Sequence, residues 1–232
     1  MNLPLMSKRP LTQHEKIRKI VLGAFFVAIA IWLGISKIGF IPLPLPIAAA
    51  QFFHIPIILA GIFVGPEIGF LCGIVFGFYA FLTYGSLFPW FVLIPARPFI
   101  GLTSYYAFMY VYSVINRKVA PIENPKKMNL IEYILIFLFL SPLVAIVNHM
   151  VRKKYVNLKY LIIPSVIAGI IGSLTNSVGT LGLGYYFKVF GKTIAVNNAA
   201  IISSIPVVII EALIAAILVP MLVVPLYNYL HQ

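Results

Sequence analysis

Apolar residues fill most of this chain in long runs, separated by short stretches rich in Pro, Gly, Lys and Arg. The first run, from about Ile17 to Ile38, is long enough to cross roughly 30 Å of hydrocarbon as a helix. A basic start before an apolar stretch also suits a cleaved leader. This run is too long for one, and Ala48-Ala49-Ala50 lies too far beyond it, so helix 1 is expected to stay. Pro42, Pro44 and Pro46 then alternate with apolar residues, which stops the helix and favours extended backbone in an outer loop.

His54 to Val64 reads as a short second helix, and Gly65-Pro66-Glu67-Ile68-Gly69 as a tight turn. Helix 3 follows from Ile68 to Tyr84, with Gly69, Gly73 and Gly77 making one continuous small face for close packing. Tyr84 to Trp90 is a second outer loop, its two aromatic ends suited to a membrane interface. The remaining core helices are expected at 91–115, 160–187 and 199–222, with Lys188 to Asn198 as an outer loop. The pattern predicts an all-α integral membrane protein, a six-transmembrane-helix bundle forming one membrane-embedded domain, with both termini inside.

One segment resists this scheme. Leu130 to Val147, within an extra hydrophobic stretch around 130–150, is apolar enough to span, yet Lys and Arg sets flank it on both sides. A single crossing would put one set on the wrong side. An interfacial or re-entrant segment broken near Pro142 keeps both inside and is preferred over an extra span.

Composition agrees with the pattern. The chain is 62% hydrophobic and 9% charged, and its mean hydropathy is +1.04, values that belong to lipid rather than water. Its net charge of +12 comes from basic residues beside hydrophobic ends, as membrane orientation requires, and no basic-aromatic face for nucleic acid is visible. The single Cys72 excludes an internal disulfide and a multi-cysteine metal site.

Polar groups inside a bilayer are costly, so each is a functional candidate. Arg97, in Leu93-Ile-Pro-Ala-Arg-Pro-Phe-Ile-Gly101, could pair a carboxylate or phosphate bidentately; equally it could snorkel or pair with Glu211. Thr175 and Asn176, in Gly172-Ser-Leu-Thr-Asn-Ser-Val-Gly179, offer hydroxyl and amide groups for a neutral polar ligand or for bonds between helices. Glu211 needs a partner or a proton. Gln51 and His54 sit at the outer mouth of helix 2, where His54 reads as an ordinary polar tip, and Gln51, Tyr84 and Trp90 join the candidate substrate contacts. On helix 1, Ala24 and Ala28 lie one turn apart. They form either an internal packing stripe or a seam where another helix docks.

No phosphate-binding loop, metal motif or nucleophile with a nearby base is present, so neither ATP hydrolysis by that chemistry nor metal catalysis is expected, and no cofactor. A membrane-embedded lipid-modifying enzyme using Glu211 or His149 remains an alternative. So does a secondary transporter, although the repeats expected of one are not evident.

Four segments, in order, resemble the substrate-binding S-components of energy-coupling factor (ECF) vitamin transporters. They are the Ala24/Ala28 seam, the junction Ile58-Leu-Ala-Gly-Ile-Phe-Val-Gly-Pro-Glu-Ile-Gly69, Ile94-Pro-Ala-Arg-Pro-Phe-Ile-Gly101 and Gly172-Ser-Leu-Thr-Asn-Ser177. Ser177 stands where the family usually has threonine. The resemblance implies a six-helix binding subunit, not an enzyme, in the plasma membrane of a prokaryote. It implies a vitamin substrate, a membrane-embedded coupling subunit meeting Ala24 and Ala28, and two cytoplasmic ATPases; the S-component would topple to release its cargo. Arg97 and Asn176 carry over as site candidates, and pantothenate fits them, with folate and cobalamin as alternatives.

Overall fold

A computed structural model describes residues 12–36, 40–42, 49–85, 88–118, 159–191 and 193–230. Helix α1 spans Gln13–Ser36 and starts four residues before the hydrophobic run because a capping box precedes it. The Glu15 backbone N–H donates to Thr12 Oγ1 at 3.3 Å, and the Thr12 N–H donates back to Glu15 Oε2 at 2.8 Å. The chain then forms a small antiparallel ribbon, β1 (Phe40–Pro42) on β2 (Ala49–Gln51), with Ile41 opposite Ala50. Extended backbone is what the alternating prolines lead one to expect.

Helix α2 (His54–Val64) is 11 residues long and every one of them is buried. At roughly 16 Å it covers about half the hydrocarbon thickness, so it is an internal axis rather than the short span its apolarity suggests. Helix α3 (Pro66–Tyr84) turns back from it at Gly65, whose φ of 123° favours glycine. The Gly65 N–H closes α2 on the carbonyls of Ala60 and Gly61, and Pro66 opens α3 where its missing N–H costs nothing. Lys19 Nζ reaches Glu67 Oε2 at 2.6 Å and ties α1 to this turn.

The helix expected over 91–115 is two helices. A single turn, α4 (Trp90–Leu93), is followed by a bend and then by α5 (Pro98–Lys118). Pro95 and Pro98 lack the N–H groups that would continue the ladder. The Arg97 N–H therefore bonds back to Ile94 O at 3.3 Å, one residue short of the α pattern, and leaves Leu93 O open. Helices α6 (Lys159–Tyr186) and α7 (Ile194–Leu230) complete the bundle. The latter has 37 residues and contains Pro206, Pro220 and Pro225. At about 55 Å it exceeds both the 199–222 expectation and the hydrocarbon thickness.

The result is a helical membrane bundle with only the small ribbon added among the described residues. α1, α3, α6 and α7 are long and apolar enough to cross a bilayer. The segment around 130–150 lies outside the described residues.

Apolar helices gain little from the hydrophobic effect by associating inside lipid, so close approach carries much of the packing. The predicted glycine face of α3 supplies it. Gly77 lies on Ile94, Gly73 on the backbone of Arg97 and Pro98, and Gly69 on Gly101, with Gly61 of α2 meeting the same crossing. A Cβ at any of these would meet another backbone at or below the limit of ordinary contact. This seam fixes the 94–98 bend against α3. Toward the Gly65 end the interior is apolar and filled by Val64, Phe108, Tyr112, Leu161, Val223 and Tyr227.

Candidate functional site

Buried polar residues gather at the 94–97 bend. Arg97 is 2% exposed, so it does not snorkel. Its Nη1 donates to Leu93 O, the carbonyl its own bend had released. Its guanidinium carbon sits 5.0 Å from the centre of the Phe76 ring, and Phe76 in turn packs at 5.3 Å on Phe53, two residues after β2. A carbonyl from α4 and an aromatic face from α3 thus hold the cation.

Across from the bend runs the inner face of α6. Gly179 lies against Ala96, which brings this turn beside Arg97. Ser173, Asn176, Ser177 and Thr180, spaced i, i+3, i+4 and i+7, share that face. Ser177 Oγ donates to Glu211 Oε2 of α7 at 2.9 Å. Glu211 is 5% exposed. One positive and one negative group thus share an interior that lipid surrounds.

Four buried atoms of the bend and of this face of α6 lack a hydrogen-bond partner among the described residues: Arg97 Nε, Ser173 Oγ, Asn176 Oδ1 and Thr180 Oγ1. Native interiors leave few such groups, each costing about 1–3 kcal/mol. They include an obligate donor, an acceptor and two hydroxyls that can act either way. A polar molecule placed among them would satisfy several at once.

The structure thus brings Arg97, Asn176 and Glu211 to one region. Thr175 points elsewhere, its hydroxyl 2.9 Å from that of Thr103 on α5. Trp90 is 59% exposed and stacks edge-on with Phe91. Gln51 is the last residue of β2, its backbone opposite Phe40, and Tyr84 is the last residue of α3. His54 is wholly buried at the start of α2, not an exposed tip. No cluster of metal-binding side chains occurs among the described residues.

Sequence reasoning missed Phe76 and Thr180. The i, i+4 spacing from Asn176 would have found Thr180, whereas nothing local distinguishes Phe76 from the other aromatic residues of α3.

On α1 the buried residues are Gly23, Phe26, Ala30 and Gly34; Ala24 and Ala28 are exposed. Internal packing of α1 therefore uses different small residues: Gly23 meets Ile68, and Gly34 meets Tyr79.

A model of the family described as "ECF transporter, substrate-specific component" matches residues 18–223. No match was found among curated proteins.

Proposed function

The chain belongs to the substrate-specific components of ECF transporters, and on that premise we propose that it binds a water-soluble vitamin at the Arg97–Asn176–Glu211 site. Membership makes it the binding subunit of an importer rather than an enzyme. The observation that carries the site is the set of unpartnered buried polar atoms around buried Arg97 and Glu211. A cargo with an acidic group, an amide and hydroxyls matches that set. Pantothenate has this chemistry, and folate and cobalamin are the alternatives.

The outward exposure of Ala24 and Ala28 supports their reading as the face where a membrane-embedded coupling subunit docks, powered by two cytoplasmic ATPases. Two methyl groups let a partner backbone come close. Lys16, Arg18, Lys19, Arg117, Lys118 and Lys159 lie near helix ends at the Gly65 side of the bundle. The positive-inside bias makes that side cytoplasmic in a prokaryotic plasma membrane, so the site faces outward. Delivery would then require the subunit to topple.

Equilibrium binding of radiolabelled pantothenate, folate and cobalamin to the purified chain tests the substrate. One of them is expected to bind stoichiometrically, and Arg97→Met to weaken it by about 100-fold, the loss typical of a charge-assisted hydrogen bond. Failure with all three would overturn the assignment. Co-purification with a coupling subunit and two ATPases tests the partners.

A further inference from the structure

The layer around Arg97 holds ionisable groups that water does not reach. Glu211 accepts a hydrogen bond from Ser177 at 2.9 Å, and two residues further along α6 Gly179 lies against Ala96, the neighbour of Arg97. Glu211 and Arg97 are both buried. Helix α2 adds a third group. Ile58 lies against Gly172 of α6, and α2 runs toward the Gly65 end while α6 runs away from it. His54 and Asn176, each one turn from that contact, therefore share a level, and the imidazole is wholly buried there. The other groups packed on α7 bring no charge to this layer. Strand β2 ends in Gln51, the inner face of α6 offers an amide and hydroxyls, and Tyr185, Tyr186 and Tyr227 stand two turns or more away along their helices.

Ionised Arg97 and Glu211 together carry no net charge. A cargo carboxylate that engages Arg97 leaves one negative charge too many in an interior that lipid surrounds, where an uncompensated charge is costly. We infer that the site binds an anionic cargo together with one proton, which Glu211 takes from water and returns when the cargo leaves. The complex then holds the cargo carboxylate on the Arg97 guanidinium and a neutral Glu211 acid, with charge balanced. Ser177 serves both forms of Glu211. Its hydroxyl donates to the carboxylate, and by rotation it accepts from the protonated acid. A proton on His54 would balance the sum as well, but would leave two carboxylates ionised in one small interior. The inference rests on the acidic cargo assigned above and adds what must accompany it.

Calorimetric titration of the purified full chain with pantothenate, in buffers of different ionisation enthalpy, counts the protons exchanged. About one proton is expected to be taken up per cargo, and affinity to fall about tenfold per pH unit between roughly pH 6 and 8. Glu211→Gln keeps an acceptor for Ser177 without the charge, and is expected to bind with no proton uptake and no pH slope. Infrared difference spectra of the native chain are expected to gain a protonated-carboxyl band on binding, unmoved when the pantothenate carboxyl carries a heavy carbon isotope. That readout covers the case in which Glu211→Gln does not fold. Binding without proton uptake overturns the inference and leaves the substrate assignment standing. Uptake that persists in Glu211→Gln also overturns it and puts the proton on His54, and a band that moves with the labelled cargo puts it on the cargo instead. No binding of pantothenate overturns that assignment and this inference with it.

Discussion

Lys188 occupies the left-handed position of the turn that ends α6, at φ 52°, where glycine is the usual residue. A side chain with a Cβ costs about 1 kcal/mol there. Lys188→Gly is expected to recover most of that, so thermal unfolding of the purified chain in detergent should rise by a few degrees, at about 2–4 °C per kcal/mol. No rise would mean that the lysine side chain makes a compensating contact. Gly73 is the opposite case, because its α-hydrogen faces the backbone of Arg97 and Pro98. Gly73→Ala should destabilise by about 1–3 kcal/mol and weaken substrate binding together, since it pushes α3 away from the bend that carries Arg97. Lost stability with unchanged binding would uncouple the seam from the site. Arg97, Asn176 and Glu211 were legible as candidates because polar groups are rare within apolar runs. Their partners were not. Which hydroxyl meets Glu211 depends on the register of α6 against α7, and Thr175 turns to Thr103 because of helix rotation that a single sequence does not encode.

At the level of elements, hydropathy located α1, α3, α6 and α7 and placed α2 to the residue, but read α4 and α5 as one helix. The start of α1 is encoded by the polar capping box Thr12-Gln-His-Glu15, which lies outside the apolar run and so leaves no trace in hydropathy. The break at 94–97 was announced by two prolines, and its consequence, a carbonyl released for Arg97, required the backbone path. α7 runs further than expected at both ends, taking in Asn197 and Asn198 before residue 199 and Pro225 after residue 222. The two faces of α1 make the clearest prediction at this scale. Ala24→Trp adds bulk only to the exposed face, so it should leave vitamin binding to the isolated chain intact and abolish uptake by cells that also express the coupling subunit and ATPases. Normal uptake in that variant would remove the docking role of the seam.

Taken as a whole, the molecule separates its chemistry by depth. Polar and charged groups cluster around the 94–97 bend, and the opposite end is filled by Val64, Phe108, Tyr112, Leu161, Val223 and Tyr227, with Phe108 and Tyr112 stacked at 5.8 Å. Buried α2 stops at Gly65, where the Lys19–Glu67 pair joins α1 to the turn. That pair is too exposed to add more than about 1 kcal/mol, so apolar packing closes this end. Among the described residues the Gly65 end of the bundle is closed by packed apolar side chains. A packed apolar floor offers ions no polar path, so the chain reconstituted alone in a planar bilayer should carry no measurable conductance, and a steady current would contradict the packed floor. The same floor lets a cell keep many idle copies in its membrane without dissipating its ion gradients.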